Sequence, residues 1–205
     1  MSLVIHPRVL KATRRIGVLT CLFVLGSGAA AFAACPAQPV STPFSQWGDS
    51  SNYFLVPGGS FEGSADQVGW TLSNANLTAG NEPFYVNGSG DQQSLTINAG
   101  GSATSPFFCV DNSMPDLRLF AAQLNAGSDL RIEALVQTPS GVSTYPVGDL
   151  ADGSVPSWAP TSPITGNTAS IPDGTTLQVA LRFDVPADAG AWQIDDVYVD
   201  PYRAG

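Results

Sequence analysis

The sequence predicts an all-β protein with negligible helix, folded as a single β-sandwich. Short apolar runs are separated about every 8–12 residues by Gly, Pro, Asn or Asp, which is the rhythm of a sandwich. Within these runs apolar and polar residues alternate with a period of two, and no stretch of useful length has a helical period. The candidate strands are 53–57, 70–79, 83–87, 94–99, 104–110, 116–124, 129–137, 142–148, 175–185 and 192–200.

The first 33 residues have the features of a secretory signal peptide. A basic region comes first, with Arg8, Lys11, Arg14 and Arg15. An apolar stretch over 16–28 follows, too short to span a bilayer, and Ala31-Phe32-Ala33 matches a cleavage site. The alternatives are a retained N-terminal anchor and a twin-arginine signal, although Ile-Gly-Val after the arginine pair lacks the usual bulky apolar residue. The sequence therefore predicts a secreted, extracellular protein without a membrane span.

Charge and residue types exclude several classes of function for the chain that remains. Without residues 1–33 it has 172 residues, one domain's worth, and 17 acidic residues against four arginines, a net charge of −13. Such a charge repels nucleic acid and anionic membranes, so neither is expected as a partner. His6 and Lys11 are the only histidine and lysine, and both leave with the signal. Ser-His-Asp and Cys-His catalysis, Schiff bases and His-ligated zinc are thereby excluded.

Two cysteines remain, Cys35 and Cys109, and in an oxidising compartment they are expected to form a disulfide. The bond would fasten an extended arm over 34–43, rich in Pro, Ser and Thr, to the domain over 44–202. The competing interpretation is a lipid anchor on Cys35. Phe32 makes a poor lipobox, because it replaces the aliphatic residue usual three positions before the cysteine.

Three of the four remaining arginines fall on the polar faces of predicted strands. Arg118, Arg131 and Arg182 each lie two residues from an acid on the same face, while the apolar residues of those strands face the other way. Cross-strand charge pairing on a solvated sheet explains this pattern, at a few tenths of a kcal/mol per pair. The alternative is a polar floor for a ligand.

The last predicted strand, WQIDDVYVD, carries two adjacent acids in its middle. Trp192 and Ile194 share one face, whereas Val197 and Val199 have the opposite parity. Both apolar pairs can face the core only if one extra residue intervenes, so the sequence predicts a β-bulge at Asp195-Asp196. A bulge redirects side chains and frees backbone carbonyls, which together with a carboxylate suit a hard cation.

A second stretch with possible ligands is PGGSFEGS, at 57–64, followed by Gly69-Trp70. The G-x-F-E turn, the Gly-Trp and the terminal W-x-I-D-D-V strand resemble the galactose-binding-like jelly roll of CBM4/9/22-type carbohydrate-binding modules. From WGDSSNYFLVPGGSFEG through GNEPF to WQIDDVYVDPYR, the chain is similar to small secreted bacterial jelly-roll proteins. The resemblance implies that the sandwich is a jelly roll.

The resemblance also implies a structural Ca²⁺ between the first and last strands. Carried over by position, its ligands are Glu62 and Asp195, with Asp196 as a substitute or supporting residue. A shared ion requires the carboxyl groups of Glu62 and Asp195 within about 8 Å of each other. The alternatives are a carboxylate that caps turn amides without metal and, for the Asp pair, an ion pair with Arg203.

Sugar-binding jelly rolls stack pyranose rings on aromatic side chains, with amides and acids bonding the hydroxyls. Trp158, in a proline-rich loop, and Tyr85 are the candidates for an exposed ligand surface. Glu82, beside Tyr85, is the candidate hydrogen-bonding acid. Trp70 and Trp192 lie within strand patterns and are expected in the core.

Three functions follow from these expectations. The first is a secreted, monomeric, non-catalytic module that binds glycans and holds a structural Ca²⁺. The second is a structural or adhesion protein of the cell surface without a small-molecule ligand. The third is a carboxylate-dependent glycoside hydrolase, which needs two acids roughly 5–9.5 Å apart across a cleft. No two acids in the sequence are marked as such a pair, so an enzyme is not expected.

Overall fold

The computed structural model describes residues 35, 37–168, 171–187 and 190–201. The predicted signal peptide, Ala34 of the arm, and Arg203 lie outside the described residues. Helix in the described residues comprises a 3-10 turn, Ser45–Trp47, a 3-10 residue at Thr168, and the short α1, Ala65–Val68; none of these is long and apolar enough to cross a membrane. The strands are β1 (Val40–Ser41), β2 (Tyr53–Leu55), β3 (Thr71–Ala79), β4 (Gln93–Thr104), β5 (Phe108–Val110), β6 (Asp116–Asn125), β7 (Leu130–Thr138), β8 (Gly141–Leu150), β9 (Ala159–Pro160), β10 (Ile164–Thr165), β11 (Leu177–Asp184) and β12 (Ala191–Val199).

These strands form a two-layered β-sandwich, which confirms the predicted jelly-roll fold class. In the first sheet β12 lies centrally, with β6 on one side and first β4 and then β2 on the other. In the second sheet the order is β8, β7, β11, and then β5 with the last residues of β4. Shorter or flanking pairs complete the sandwich: β1 with β2, β3 with β4, and β9 and β10 with β6.

β3 and β4 belong to both sheets because each bends midway. Early in β4 the partner is β12, whereas Ser102–Thr104 pair with β11. β3 bends at Asn74, whose φ is 47°. β4 bends at Gly100–Gly101, and a Cβ on Gly101 would lie only 2.5 Å from the Asn74 carbonyl oxygen, so a side chain there cannot be accommodated. Backbone hydrogen bonds therefore run without a break from one sheet into the other.

The predicted alternation builds the core. Trp70 and Trp192 are buried, as expected, and so are the apolar residues of β11 that face the first sheet: Val179, Leu181 and Phe183. On the outer face of β11, Arg182 lies 3.6 Å from Glu133 of β7 and 3.2 Å from Asp184. Charge pairing on a solvated sheet is therefore confirmed for this arginine.

Two predicted strands are wrong in extent. Residues 83–87 do not form a strand but part of a loop between β3 and β4. The amides of Phe84 and Val86 bond to the carboxylate of Glu82, so they are not available to a sheet. The predicted strand 104–110 is divided between the end of β4 and β5. Pro106 lies in the gap, where it has no backbone N–H to give to a ladder.

Arg118 also departs from its predicted place on a solvated face, since only 6% of it is exposed. The segment before β2 covers this face of β6. Arg118 forms a 2.5 Å ion pair with Asp49, donates from Nε to the Thr161 carbonyl at 2.9 Å, and lies 3.9 Å from the Phe44 ring centroid. Although partial burial acts to raise it, hydrogen bonds from Tyr53, Ser51 and Arg118 lower the pKa of Asp49 to about 2.

Replacing this buried cation should cost far more than replacing an exposed one. We expect Arg118→Ala to lower the free energy of unfolding by about 3 kcal/mol, because Asp49 would lose its partner in a largely covered position. The matched control is Arg182→Ala, whose surface pairs are worth less than about 1 kcal/mol. Urea unfolding of both variants measures the difference, and equal, small losses would contradict the role assigned to Arg118.

The disulfide is confirmed: Cys35 and Cys109 are bonded, with their Cα atoms 5.8 Å apart. Cys109 lies on β5 and pairs with Gln178 of β11, whose side-chain amide is 3.1 Å from the Cys109 sulfur. The bond therefore ties residue 35 to the second sheet. It also leaves Cys35 without the free thiol that a lipid anchor needs.

Candidate functional site

The bulge predicted from the sequence is present in β12. Trp192 and Ile194 enter the core before it, and Val197 and Val199 enter the core after it. The register of β12 against β6 shifts between Asp195 and Tyr198, and Asp196 has φ 47°, a left-handed value uncommon outside glycine. The carboxylates of Asp195 and Asp196 are thereby held inside the protein, with 0% and 1% of each residue exposed.

Asp195 is buried but hydrogen-bonded. Its Oδ2 accepts from the backbone N–H of Glu82 at 3.1 Å, and its Oδ1 accepts from the N–H of Asp196 at 2.9 Å. Burial first, and then the charge of Asp196, raise the pKa of Asp195 to about 9. Without a neighbouring cation, this carboxyl group is therefore protonated at neutral pH.

Asp196 is also buried, but its carboxylate lacks the hydrogen bonds that Asp195 has. Neither of its carboxylate oxygens has a hydrogen-bond partner within the described part of the chain. Burial, followed by the charges of Glu82 and Asp91, raises the pKa of Asp196 to about 8, and the nearby backbone of Asn87 offsets this only in part. A buried polar group without a partner is costly, so this pair of oxygens is the feature of the site that most requires an explanation.

Glu82 organises the loop that covers the two aspartates. It is fully buried; its Oε1 accepts from the N–H of Val86 at 2.8 Å and its Oε2 from the N–H of Phe84. Burial raises its pKa, while these amides lower it in part. Tyr85, between the two amides, takes φ 52°. Glu82 therefore shapes the loop from below and is not positioned to contact a ligand at the surface.

Glu62 holds the turn before α1 against the start of β4. Its Oε1 accepts from the N–H groups of Gln92 and Gln93, each at 2.7 Å. Its charge is one of those that raise the pKa of Asp196. The structure thus brings Asp195 into contact with Glu82 and places Glu62 near Asp196, while the approach of Glu62 to Asp195 stays a prediction.

The donors around Asp196 fit Ca²⁺ in kind. Its two orphaned oxygens are buried among further carboxylates, and Ca²⁺ takes oxygen ligands of this type. No three Asp, Glu, Cys or His side chains of the described ranges form a metal-binding group as they stand. The residues that would hold the ion are Asp196 and Glu62, with Asp195 beside them.

An aromatic cluster covers the outer face of the first sheet, on the side away from the core. Its buried rings are Phe44, Tyr53, Phe120 and Tyr198, and Trp47 and Trp158 are half-buried against them. Phe84 joins it, with its ring centroid 5.0 Å from that of Trp47 and 5.7 Å from that of Phe120. Of the predicted ligand residues, Trp158 therefore packs against this cluster, whereas Tyr85 is exposed.

The two most exposed aromatic rings here are adjacent. Tyr85 is 49% exposed and Phe84 is 38% exposed, on the loop that Glu82 shapes. Phe84 is not among the predicted ligand residues, since the sequence gives it no feature beyond the strand-like composition of 83–87. The local signal was GNEPF, in which a buried acid precedes a proline and two rings.

A strip of uncharged polar side chains adjoins these rings on the same face. Its hydroxyls and amides are linked: Thr78 Oγ1 lies 2.7 Å from Thr96 Oγ1, Asn76 donates to Thr78 at 2.9 Å, and Gln193 donates to Ser94 at 3.3 Å. We call Asn76, Thr78, Ser94, Thr96 and Gln193 the polar strip. It spans β3, β4 and β12, because Asn76 and Gln193 both pair with Thr96 in register.

Strand register puts the polar strip next to the exposed rings. Asp195, two positions along β12 from Gln193, lies opposite Phe120 on β6. Two positions along a strand are about 7 Å, and Phe84 packs on Phe120. The strip was not predicted; its signal was the polar parity of Ser94, Thr96 and Asn98 in SLTINA.

Comparison with known proteins gives structural neighbours only. Searches against protein-family models and curated proteins find no match. Among solved structures, the CBM22-1 and GH10 modules of a Clostridium thermocellum endo-1,4-β-D-xylanase complexed with xylohexaose match at 13% identity and TM-score 0.46, over 74% of this chain and 27% of that one. The CBM22-1 xylan-binding domain of a Paenibacillus barcinonensis protein matches at 16% identity and TM-score 0.42, over 71% and 93%.

A third neighbour is the C-terminal CBM6 of a laminarinase from Zobellia galactanivorans, at 14% identity and TM-score 0.38, over 63% of this chain and 90% of that one. At these identities and TM-scores the likenesses carry no argument about what this chain binds. They agree with the resemblance seen in the sequence: each of the three neighbours is, or contains, a carbohydrate-binding module.

Proposed function

We propose that this protein is a secreted, non-catalytic module that binds carbohydrate on the outer face of its first sheet. The observation that carries the proposal is the exposed pair Phe84 and Tyr85 beside the uncharged polar strip. Sugar rings present C–H faces that stack on aromatic side chains and hydroxyl groups that both donate and accept. Ser94 and Thr96 are buried, but Asn76, Thr78 and Gln193 of the strip are exposed or half-buried and offer uncharged amides and a hydroxyl for both kinds of hydroxyl contact.

The positions of the acids support binding over hydrolysis. A glycoside hydrolase needs two carboxyl groups that reach the scissile bond. The adjacent pair with raised pKa values, Asp195 and Asp196, is buried beneath the loop that carries Tyr85. The polar strip itself contains no acid. A structural or adhesion role without a ligand is the remaining alternative, and the binding experiment decides between them.

Secretion is supported by two features. The N-terminal segment has the basic, apolar and cleavage-site parts of an export signal. The disulfide between Cys35 and Cys109 belongs to an oxidising compartment.

Tyr85→Ala should weaken glycan binding about tenfold or more, because the variant loses the more exposed ring of the pair. The matched control is Tyr145→Ala, which removes a tyrosine of similar exposure, 54%, from the second sheet. A glycan array with the purified protein finds the ligand, and titration calorimetry then compares the two variants. Gln193→Ala tests the polar strip in the same way.

If the protein binds none of the plant, fungal and bacterial glycans on the array, the proposal is overturned in favour of a structural or adhesion role. Equal losses for the Tyr85 and Tyr145 variants would place the ligand elsewhere. Release of reducing sugar from a bound glycan would show that the module is a hydrolase.

We further propose that a structural Ca²⁺ lies at the bulge, held by Asp196 and Glu62 with Asp195 beside them. The two unpartnered oxygens of Asp196 support this proposal. Such an ion would neutralise the buried acids and fasten the turn before α1 to β12. It has no role in the proposed sugar contacts, and its test is a comparison of stability with and without Ca²⁺.

A further inference from the structure

A cavity lies between the two sheets, away from the polar strip. Its volume is about 650 Å³. Side chains from both sheets line it, among them Phe108, Leu117, Val136, Tyr145, Val179 and Val199. Because these strands face each other across the core, the cavity opens from the surface into the space between the two sheets.

Solvent-sized molecules reach core side chains through this opening. Leu117, Val179 and Val199 keep 3–6% of their surface exposed, whereas residues deeper in the same core, such as Phe183 and Ile194, keep none. Protein interiors are close-packed and contain few voids larger than one water molecule. An apolar space of this size offers water few hydrogen-bonding partners, so it is suited to an apolar occupant.

We propose that this cavity binds an uncharged, apolar small molecule. Its volume lies within the range of small-molecule sites, roughly 300–1,000 Å³, which are typically apolar with a few polar groups at defined places. The polar side chains among the lining residues are Asp116, Thr138, Tyr145, Asn167 and Thr168. Their hydroxyl and amide groups suit a ligand that carries a hydroxyl or carbonyl group.

Charge restricts the ligand further. No lysine, arginine or histidine occurs among the described residues that line the cavity, so a carboxylate, sulfate or phosphate would have no counter-ion. Asp116 at its edge adds negative charge, although its Oδ1 already accepts from Thr165 at 2.6 Å. Fatty acids and other anions are therefore disfavoured, and neutral ring compounds or alcohols are favoured.

The test uses two dyes that differ mainly in charge. The purified protein should bind neutral N-phenyl-1-naphthylamine saturably, with one site per chain and enhanced fluorescence. The anionic 8-anilinonaphthalene-1-sulfonate should bind at least about tenfold more weakly, because no cation lines the cavity.

Two neighbouring substitutions on β7 give a matched comparison. Ala134 lines the cavity, and Leu135 points to the opposite face of the same strand. Ala134→Phe should fill the cavity and weaken binding of the neutral dye at least about tenfold, whereas Leu135→Phe should change it less than about twofold. If Ala134→Phe fails to fold, Val136→Thr keeps the volume, adds a hydroxyl to the wall, and should weaken binding several-fold.

Four outcomes would overturn the proposal. They are non-saturable fluorescence, equal effects of Ala134→Phe and Leu135→Phe, equal affinity for both dyes, and dye binding that appears only together with dimers on size-exclusion chromatography. The last result would mean that a second copy of the chain closes the cavity. None of them bears on the proposed glycan binding, which is assigned to the outer face of the first sheet.

Discussion

Raising the pH from 5 to 8 in the presence of EDTA should lower the free energy of unfolding of this protein by several kcal/mol. Burial raises the pKa of Asp195 to about 9 and that of Asp196 to about 8, whereas in the unfolded chain both titrate near 3.8. Between about pH 4 and pH 8 the unfolded state has lost protons that the folded state keeps. Stability therefore falls as pH rises, by up to about 1.4 kcal/mol per pH unit for each group.

Below about pH 4 both states are protonated at these two positions, and the penalty disappears. Asp196→Asn removes one of the two groups, and with it a charge that helps to raise the pKa of Asp195, so it should reduce the pH dependence by half or more. The matched control is Asp66→Asn, which changes an exposed acid on α1. Urea unfolding at pH 5, 6, 7 and 8 measures the slopes. A flat profile for the unaltered protein, or the same slope in the Asp196 variant, would contradict this account.

Calcium should oppose the loss of stability that occurs as the pH rises. Because it binds ionised carboxylates, millimolar Ca²⁺ should raise the melting temperature relative to EDTA, and more at pH 8 than at pH 5. Asp196→Asn should lose most of this increase. Identical melting curves in Ca²⁺ and EDTA would end the proposal of a metal site and leave the pH effect in place, so the two ideas fail separately.

Removing the disulfide should have the second large effect. The double substitution Cys35→Ser and Cys109→Ser should lower the free energy of unfolding by about 4 kcal/mol, since the bond closes a loop between residues 74 positions apart. For a domain of this size that corresponds to roughly 10 °C in melting temperature.

Reduction provides the control for the disulfide. Dithiothreitol should destabilise the unaltered protein to the same extent and leave the double variant unchanged. A loss below about 1 kcal/mol would mean that the N-terminal arm is held by other contacts, such as the pairing of β1 with β2, and that the loop-closure model does not apply here.

Local patterns in the sequence were enough to predict a β-sandwich, and the resemblance of its terminal motifs added the jelly roll. Strand alternation identified the core face of β11, and the parity change in WQIDDVYVD located the bulge at Asp195-Asp196. Both are properties of a single strand. Burial of one face produces the period-two alternation of apolar and polar residues, and a register shift changes its parity. Cys35 and Cys109 were predictable by count, because only two cysteines remain after the signal.

Contacts between distant segments could not be predicted from local sequence patterns. Arg118 has the parity of a solvated residue, and its burial depends on Asp49 and Phe44, which lie in the segment ahead of β2. The run at 83–87 has strand composition, yet Glu82 captures its amides. The hydrogen-bond partner of Asp195, the amide of Glu82, is 113 positions away, and no local pattern distinguishes it from Glu62.

The central position of β12 has a consequence for the unfolded chain. Until this strand docks between β4 and β6, those two strands present open edges, and AWQIDDVYV itself is a segment of high β propensity that could add to another molecule. In the unfolded chain Asp195 and Asp196 are ionised at neutral pH, and two charges in the middle of such a segment oppose self-association. The two aspartates, whose burial destabilises the folded state, thus oppose aggregation before folding is complete.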